Sequence, residues 1–342
     1  RQFDNITSRM AALRSGATGV SAAGLSMHYK GLSLPGSLFT GESDRPNGGS
    51  AGEDGTLLIG KLGVFINGSI SFGDKDTSPD ELGFDVDTKG LTLGADYRFT
   101  DDFVLGGAVG YVDNQTDFDS SRGSMDVDGY TLSVYGTYYH TEKSYLDAIA
   151  SVGWNDFSNT RAVDIGISTI PSAKITGDTD GLEYALSIGG GYDFNLNGLS
   201  IGPFARINYI NADIDSYAEE TSTGFELDYD SQDVESLTSM LGGQISYPIS
   251  TSSGIFTPLL RVEWAHEFKD DSRFITARFL DDPTSTSFRL HTDDPDRDYF
   301  NLGVGLSATF AAGRSAFVYY ETVLQQEDIR QQSIAAGVRL TF

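Results

Sequence analysis

Residues 182–194 read Leu182-Glu183-Tyr184-Ala185-Leu186-Ser187-Ile188-Gly189-Gly190-Gly191-Tyr192-Asp193-Phe194. Taken in steps of two, Leu182, Tyr184, Leu186, Ile188, Gly190, Tyr192 and Phe194 share one face, while Glu183, Ala185, Ser187, Gly189, Gly191 and Asp193 share the other. A period of two is that of an extended strand, whose side chains alternate between faces. Residues 299–310 repeat the pattern, setting Phe300, Leu302, Val304, Leu306, Ala308 and Phe310 against Tyr299, Asn301, Gly303, Gly305, Ser307 and Thr309. The same criterion places strands near 57–73, 84–99, 103–115, 126–139, 145–157, 180–194, 199–213, 235–248, 255–268, 299–310, 315–325 and 329–342, twelve in all. Several are twice the usual length of about 5 to 6 residues, and a tilted strand needs about 9 to 11 residues to cross a bilayer.

Aromatics bound the apolar faces, as in Phe103 and Tyr111, Tyr130 and Tyr138, or Tyr184 and Phe194. Such girdles mark the two interfaces of an outer-membrane barrel. Connections alternate in length: short near 100–102, 140–144, 195–198, 249–254 and 311–314, long near 74–83, 116–125, 158–179, 214–234 and 269–298. Short periplasmic turns and long external loops are the rule for bacterial barrels. A soluble sandwich would alternate as well, but needs neither the length nor the girdles.

Composition agrees. The 342 residues include 40 Gly, 17 Tyr and 21 Phe against 9 Pro, a mixture suited to curved sheets. With 23 Lys plus Arg against 49 Asp plus Glu, the net charge of −26 excludes a nucleic-acid binder, which needs a basic face. The absence of Cys excludes disulfides, thiolate nucleophiles and Cys-held metals. No run of about 18 apolar residues is present, so strands and not helices must do any crossing.

Near the N-terminus the rhythm changes. Phe3, Ile6, Met10 and Leu13 recur at helical spacing, with Gly16 placed to stop the turn. Twelve strands tilted about 40° leave about 12 Å between opposing lumen side chains, and one helix about 10 to 12 Å across fills that space. The division expected is a pore helix at 1–15 carrying Arg9, Met10, Leu13 and Arg14, a Gly/Ser-rich link, plug or unread strand at 16–55, and a barrel at 56–342. By alternation the lumen receives Lys61, Asp96, Arg98, Asp147, Glu183, Asp193, Arg261, Glu263, Glu267, Glu321 and Arg339, whose acids would welcome Arg9 or Arg14. The last strand points Ile334, Ala336, Val338, Leu340 and Phe342 outward.

These residues resemble the translocator β-domain of bacterial autotransporters, the type V secretion family, over essentially the whole chain. The specific pieces are residues 9–16 (Arg9-Met10-Ala11-Ala12-Leu13-Arg14-Ser15-Gly16), residues 63–69 (Gly63-Val64-Phe65-Ile66-Asn67-Gly68-Ser69), residues 84–99, and the ending Gly337-Val338-Arg339-Leu340-Thr341-Phe342. The resemblance implies an all-β, twelve-stranded antiparallel transmembrane barrel with the helix inside its pore. It implies a place in the bacterial outer membrane among lipid and lipopolysaccharide, and a terminal strand read by the outer-membrane assembly machinery. It also implies export of an N-terminal passenger that stays covalently linked or is cleaved. Some members cleave themselves at an Asn-Asn bond, and this chain has no Asn-Asn, so self-cleavage does not carry over.

Other motifs offer little chemistry. Between 213 and 235 stand nine acids and no Lys or Arg. Clustered carboxylates suit hard divalent ions, yet the spacing is not that of a calcium loop, and a solvated acidic loop is expected. His291-Thr292-Asp293-Asp294 is a weak candidate His-Asp hydrolytic pair. No phosphate loop, Gly-x-Ser-x-Gly or His-Glu-x-x-His occurs. No reaction, cofactor or metal is expected. The rivals to a translocator are a stand-alone porin or plugged channel, an outer-membrane hydrolase and a soluble binding protein.

Overall fold

The computed structural model describes residues 6, 7, 10, 19–22, 26–29, 32–35, 62–141, 143–163, 173–220, 223–310 and 314–340. Twelve antiparallel strands form a closed barrel: β1 (Leu62–Lys75), β2 (Phe84–Thr100), β3 (Phe103–Phe118), β4 (Gly123–Tyr139), β5 (Ser144–Val163), β6 (Ala173–Tyr192), β7 (Leu199–Ile214), β8 (Gln232–Ser246), β9 (Ile255–Glu267), β10 (Asp298–Thr309), β11 (Arg314–Leu324) and β12 (Ile329–Leu340). Each pairs with its chain neighbour, and β12 closes onto β1 from Ile329 opposite Lys75 to Ala335 opposite Ser69. Closure leaves no unpaired sheet edge in the hydrocarbon, where each orphaned amide would cost several kcal/mol.

The outer wall is apolar and uncovered. On β3, β4 and β5 the side chains of Tyr111, Tyr130 and Trp154 stand directly opposite one another and are exposed, and Phe103 opposite Tyr138 forms a second row. Between the rows lie exposed Leu105, Val109, Leu132 and Val134. Eight residues separate Phe103 from Tyr111, about 20 Å along the normal for a strand tilted about 40°, which is the height of a membrane-facing band. Residues of opposite parity, such as Thr92, Asp96, Ser133, Thr137 and Asp147, are buried in the lumen wall.

Two expectations need correction. Residues 158–179 are not mostly loop: β5 runs to Val163 and β6 begins at Ala173. Likewise 116–125 holds only a tight turn, with a 3-10 segment at Asp119–Ser121. The rim stands in water, so Asn155, Asp156, Ser158, Asn159 and Thr160 are polar on both faces and the alternation that reveals strands vanishes.

The long segments 214–234 and 269–298 are not plain loops either. They build a four-stranded external sheet in the order Tyr217–Ala218, Leu227–Tyr229, Phe274–Phe279, Ser287–His291. Part of the 16–55 link is strand: Ser26–Tyr29 pairs with Leu32–Pro35, and Gly19–Ala22 enters the closing seam. There Gly19, Val20 and Ser21 run parallel to Gly63, Val64 and Phe65, while Ser21 and Ala22 pair with Arg339 and Val338. The outer half of the seam is thus β12 on β1, and this short segment joins its periplasmic half.

Candidate functional site

Among the described residues the lumen carries one apolar socket in a polar wall. Phe65 on β1, Ala108 on β3, Tyr135 on β4 and Ile149 on β5 face inward, and Ile6 and Met10 pack into them with no exposed surface. Ile6, Thr7 and Met10 are helical, and Thr7 is buried beside them. The rings of Phe65 and Tyr135 meet edge to face with centroids 6.1 Å apart. Residues i and i+4 of a helix share a face, so this pair gives the upstream chain a two-point grip on one side of the pore. Of the expected pore-helix residues, Met10 packs in this socket, and Arg9, Leu13 and Arg14 lie outside the described residues.

Five of the lumen acids, Asp96, Asp147, Glu263, Glu267 and Glu321, take bonds from the wall. Asp96 Oδ2 accepts from the Tyr135 hydroxyl at 3.0 Å, and Asp147 Oδ1 from Thr137 at 2.8 Å. Glu263 pairs with Arg261 and accepts from Asn301 at 3.2 Å, while Arg261 lies 4.6 Å above the Phe204 ring. Glu267 takes bonds from Ser236, Thr238 and the Leu237 amide, and Glu321 from Tyr319. Glu183 and Asp193 are half-buried on the lumen side. Arg98 sits at the periplasmic rim, donating to the Asp101 carbonyl with its guanidinium 5.7 Å from the Tyr139 ring. Lys61 and the side chain of Arg339 lie outside the described residues. These wall partners were not legible in the sequence, because periodicity shows which face a side chain takes and not its neighbour across two strands.

At the outer mouth two cations, Lys75 and Arg161, hold acids of the long connections. Lys75 ends β1, is 7% exposed, and pairs with Glu81 and with Asp293 at 2.5 Å. Arg161 on β5 holds Glu219 at two points, Nε to Oε1 at 2.8 Å and Nη2 to Oε2 at 2.5 Å, and also donates to the Phe225 carbonyl. Glu219 is 3% exposed and accepts from the Leu227 amide. Its two-point bond holds the Arg161 guanidinium above its ordinary pKa. Burial alone would lower Lys75, yet its bonds to Asp293 and Glu81 carry it upward, and the same bond holds Asp293 down. The acid-rich loop is therefore not simply solvated: its partner comes from Arg161, more than fifty residues away in sequence.

His291 meets Asp80 rather than its sequence neighbours. Its Nε2 lies 2.8 Å from the Ser272 hydroxyl, but Nδ1 stands 3.8 Å from Asp80, and His291 and Asp80 are both open to water. That separation is beyond the hydrogen bond that would orient a catalytic base. Among the described residues no group of three or more His, Asp or Glu could hold a metal ion. Of the terminal outward residues Ile334 is exposed, and Phe342 and the side chains of Ala336, Val338 and Leu340 lie outside the described residues.

Residues 64–321 match the family model described as the autotransporter beta-domain. The chain is similar to the esterase EstA of Pseudomonas aeruginosa, with 25% identity over 289 residues, which is 83% of this chain and 43% of EstA. It thus spans less than half the length of that curated relative. Among solved structures, the translocator domain of the autotransporter NalP from Neisseria meningitidis superposes with a TM-score of 0.65 at 14% identity, covering 82% of this chain and 89% of that one. The β-domain of the Bordetella autotransporter BrkA gives 0.58 at 20% identity, covering 82% and 100%.

Proposed function

The chain belongs to the autotransporter β-domain family, which makes it an outer-membrane translocator, and from that premise we propose that it exports a polypeptide joined before Arg1 and then anchors or releases it at the cell surface. The observation that carries this reading is the packing of Ile6 and Met10 against Phe65, Ala108, Tyr135 and Ile149. Ile6 and Met10 precede every barrel strand in the chain and pack on inward side chains, so a polypeptide joined before Arg1 would have a route through the pore. The exposed band between the Phe103 and Tyr111 rows would rest in lipid, with the rim among lipopolysaccharide. The assembly machinery would read the terminal strand and its Phe342. The barrel itself would catalyse nothing, and any activity would belong to the passenger.

An epitope placed before Arg1, behind a working signal peptide, tests the reading in intact cells. Antibody or external protease should reach it. If it is shielded until the outer membrane is permeabilised while tags near 285 remain accessible, the barrel is a plugged channel instead.

A further inference from the structure

In strand register Lys75 and Arg161 each lie seven residues beyond the row of Tyr111, Tyr130 and Trp154, Lys75 as the last residue of β1 and Arg161 two residues before the end of β5. The external sheet springs from the β7–β8 and β9–β10 connections.

It does not stand on the outside of the wall. Lys75 shares its parity with buried Phe65, Asn67 and Ser71, and Arg161 with buried Asp147 and Ile149, so both side chains point toward the barrel axis. Groups that bind inward-pointing side chains must lie over the lumen. Asp293 from the β9–β10 connection binds Lys75 and accepts from Ser78 at 2.8 Å. Glu219 from the β7–β8 connection binds Arg161, and the Tyr217 hydroxyl accepts from inward Asn159 at 3.2 Å. Gly177 on β6 leaves room for this contact, since a Cβ there would lie 2.8 Å from the Tyr217 ring. The Glu220 amide donates to the Thr176 carbonyl at 2.6 Å. Between these attachments the sheet buries Leu227, Tyr229 and Ala277 on the same face as Tyr217. Four strands, continuous in backbone pairing from Tyr217 to His291, therefore reach from β5 and β6 to β1 across the outer mouth.

We propose that this external sheet is an outer gate of the pore, pinned shut by two ionic clasps that each bury one partner, Lys75 with Glu81 and Asp293 on one side and Glu219 with Arg161 on the other. The gate opens by releasing both clasps and swinging over its stems at β7 to β10, and it closes behind a chain that has passed. Loss of Arg161 leaves Glu219 a buried charge without its two-point partner, and loss of Lys75 removes the cation that Glu81 and Asp293 share, so each clasp fails when its cation goes. The regulation of export rests on the translocator reading, whereas the gate itself does not.

The gate is read without secretion in the full chain, which has no Cys, through a single Ser71→Cys below Lys75 on the inward face. Labelling by a membrane-impermeant maleimide on intact cells should be slow, and Lys75→Met or Arg161→Met should speed it about tenfold or more, a population shift of only about 1.4 kcal/mol. The unheated gel mobility of each variant reports that the barrel is folded. Equal labelling rates in folded variants would overturn the gate. Its role in export is read with a reporter before Arg1 and a Thr176→Cys/Glu220→Cys pair. These residues face each other across an antiparallel bridge, where Cα atoms stand about 4.5 to 5.5 Å apart, within disulfide reach. Surface display should fall when the pair is oxidised and recover on reduction. Display unaffected by the lock overturns gating of export. A reporter that never surfaces in any variant, while Ser71→Cys labelling still depends on the clasps, sinks the translocator reading and leaves the gate standing.

Discussion

The hydroxyl of Tyr135 on β4 donates to Asp96 Oδ2 on β2 at 3.0 Å, reaching over Gly106 of the intervening strand. A Cβ on Gly106 would lie 2.4 Å from the Tyr135 ring, so glycine there is what permits the bond. Tyr135→Phe keeps the ring against Phe65 and Met10 and leaves a buried carboxylate short of a donor, at a cost of about 1.5 to 3 kcal/mol for a hydrogen bond to a charged group. Gly106→Ala should destabilise as well, because the ring itself must move. Both variants should unfold at lower temperature in the gel-shift assay that separates folded from boiled barrel, and an unchanged midpoint for Gly106→Ala would refute the close approach.

The lumen socket makes a second prediction. Met10 has no exposed surface, and truncating a buried Met to Ala costs about 2 to 5 kcal/mol where the site cannot collapse. Here the gain is confined to docking of the upstream segment on a barrel that closes by its own ladder. Met10→Ala should therefore lower the temperature at which protease cuts within residues 1–16 more than it lowers barrel unfolding. Removing residues 1–16 in a Lys75→Met background, where the outer sheet is unpinned, should raise single-channel conductance. Conductance that stays at the intact value would place the segment outside the pore.

The barrel was legible in the sequence because a wall with lipid on one side and a wet lumen on the other imposes a period of two on every strand inside the membrane. That rule supplied the outward faces of β6 and β10, and the helical spacing of Ile6 and Met10 set them on one face. It lapses above the girdle. Asn159 and Arg161 sit in a stretch polar on both faces, so strand there looks like loop, and the four external strands are too short for a period to register. Glu219 looked solvated since Arg161 reaches it only through the fold. The Gly19–Ala22 segment in the seam was hidden in a Gly- and Ser-rich stretch whose pairing depends on partners at both ends of the chain.

Acid should loosen the external sheet in a defined window. Bonds from the backbone amides of Thr223 and Gly224 and from the Thr223 hydroxyl hold the Glu226 carboxyl down to about 2, against an ordinary 4.5. A depressed folded pKa stabilises the folded turn above the unfolded value, and that contribution fades as pH falls from about 4.5 through about 2. Protease cutting near 223–226 should rise across that window in the natural chain. Glu226→Gln should be cut readily at every pH and show no step there; a step of the same size in both proteins would mean another group controls the turn.

The terminal strand separates pairing from signalling. Among the described residues β12 pairs with β1 only as far as Ala335 opposite Ser69, and with β11 as far as Leu340 opposite Arg314. Phe342 lies two residues past the last of these, so deleting it removes none of those ladder contacts. If its value were only structural, the deletion would cost little, because an end residue contributes little to a closed barrel. If it is read by the assembly machinery, insertion should collapse although the ladder is intact. Phe300→Ala is the comparison: Phe300 stands opposite Trp264 and Leu324 in the wall, and its truncation sacrifices apolar packing at the girdle. The fraction of each variant that gains heat-modifiable mobility in outer membranes should be far lower for the Phe342 deletion than for Phe300→Ala. Refolding of both purified chains in detergent should show the opposite order, with the deletion folding like the natural chain. Equal insertion in cells would leave the terminal Phe without a role as a signal.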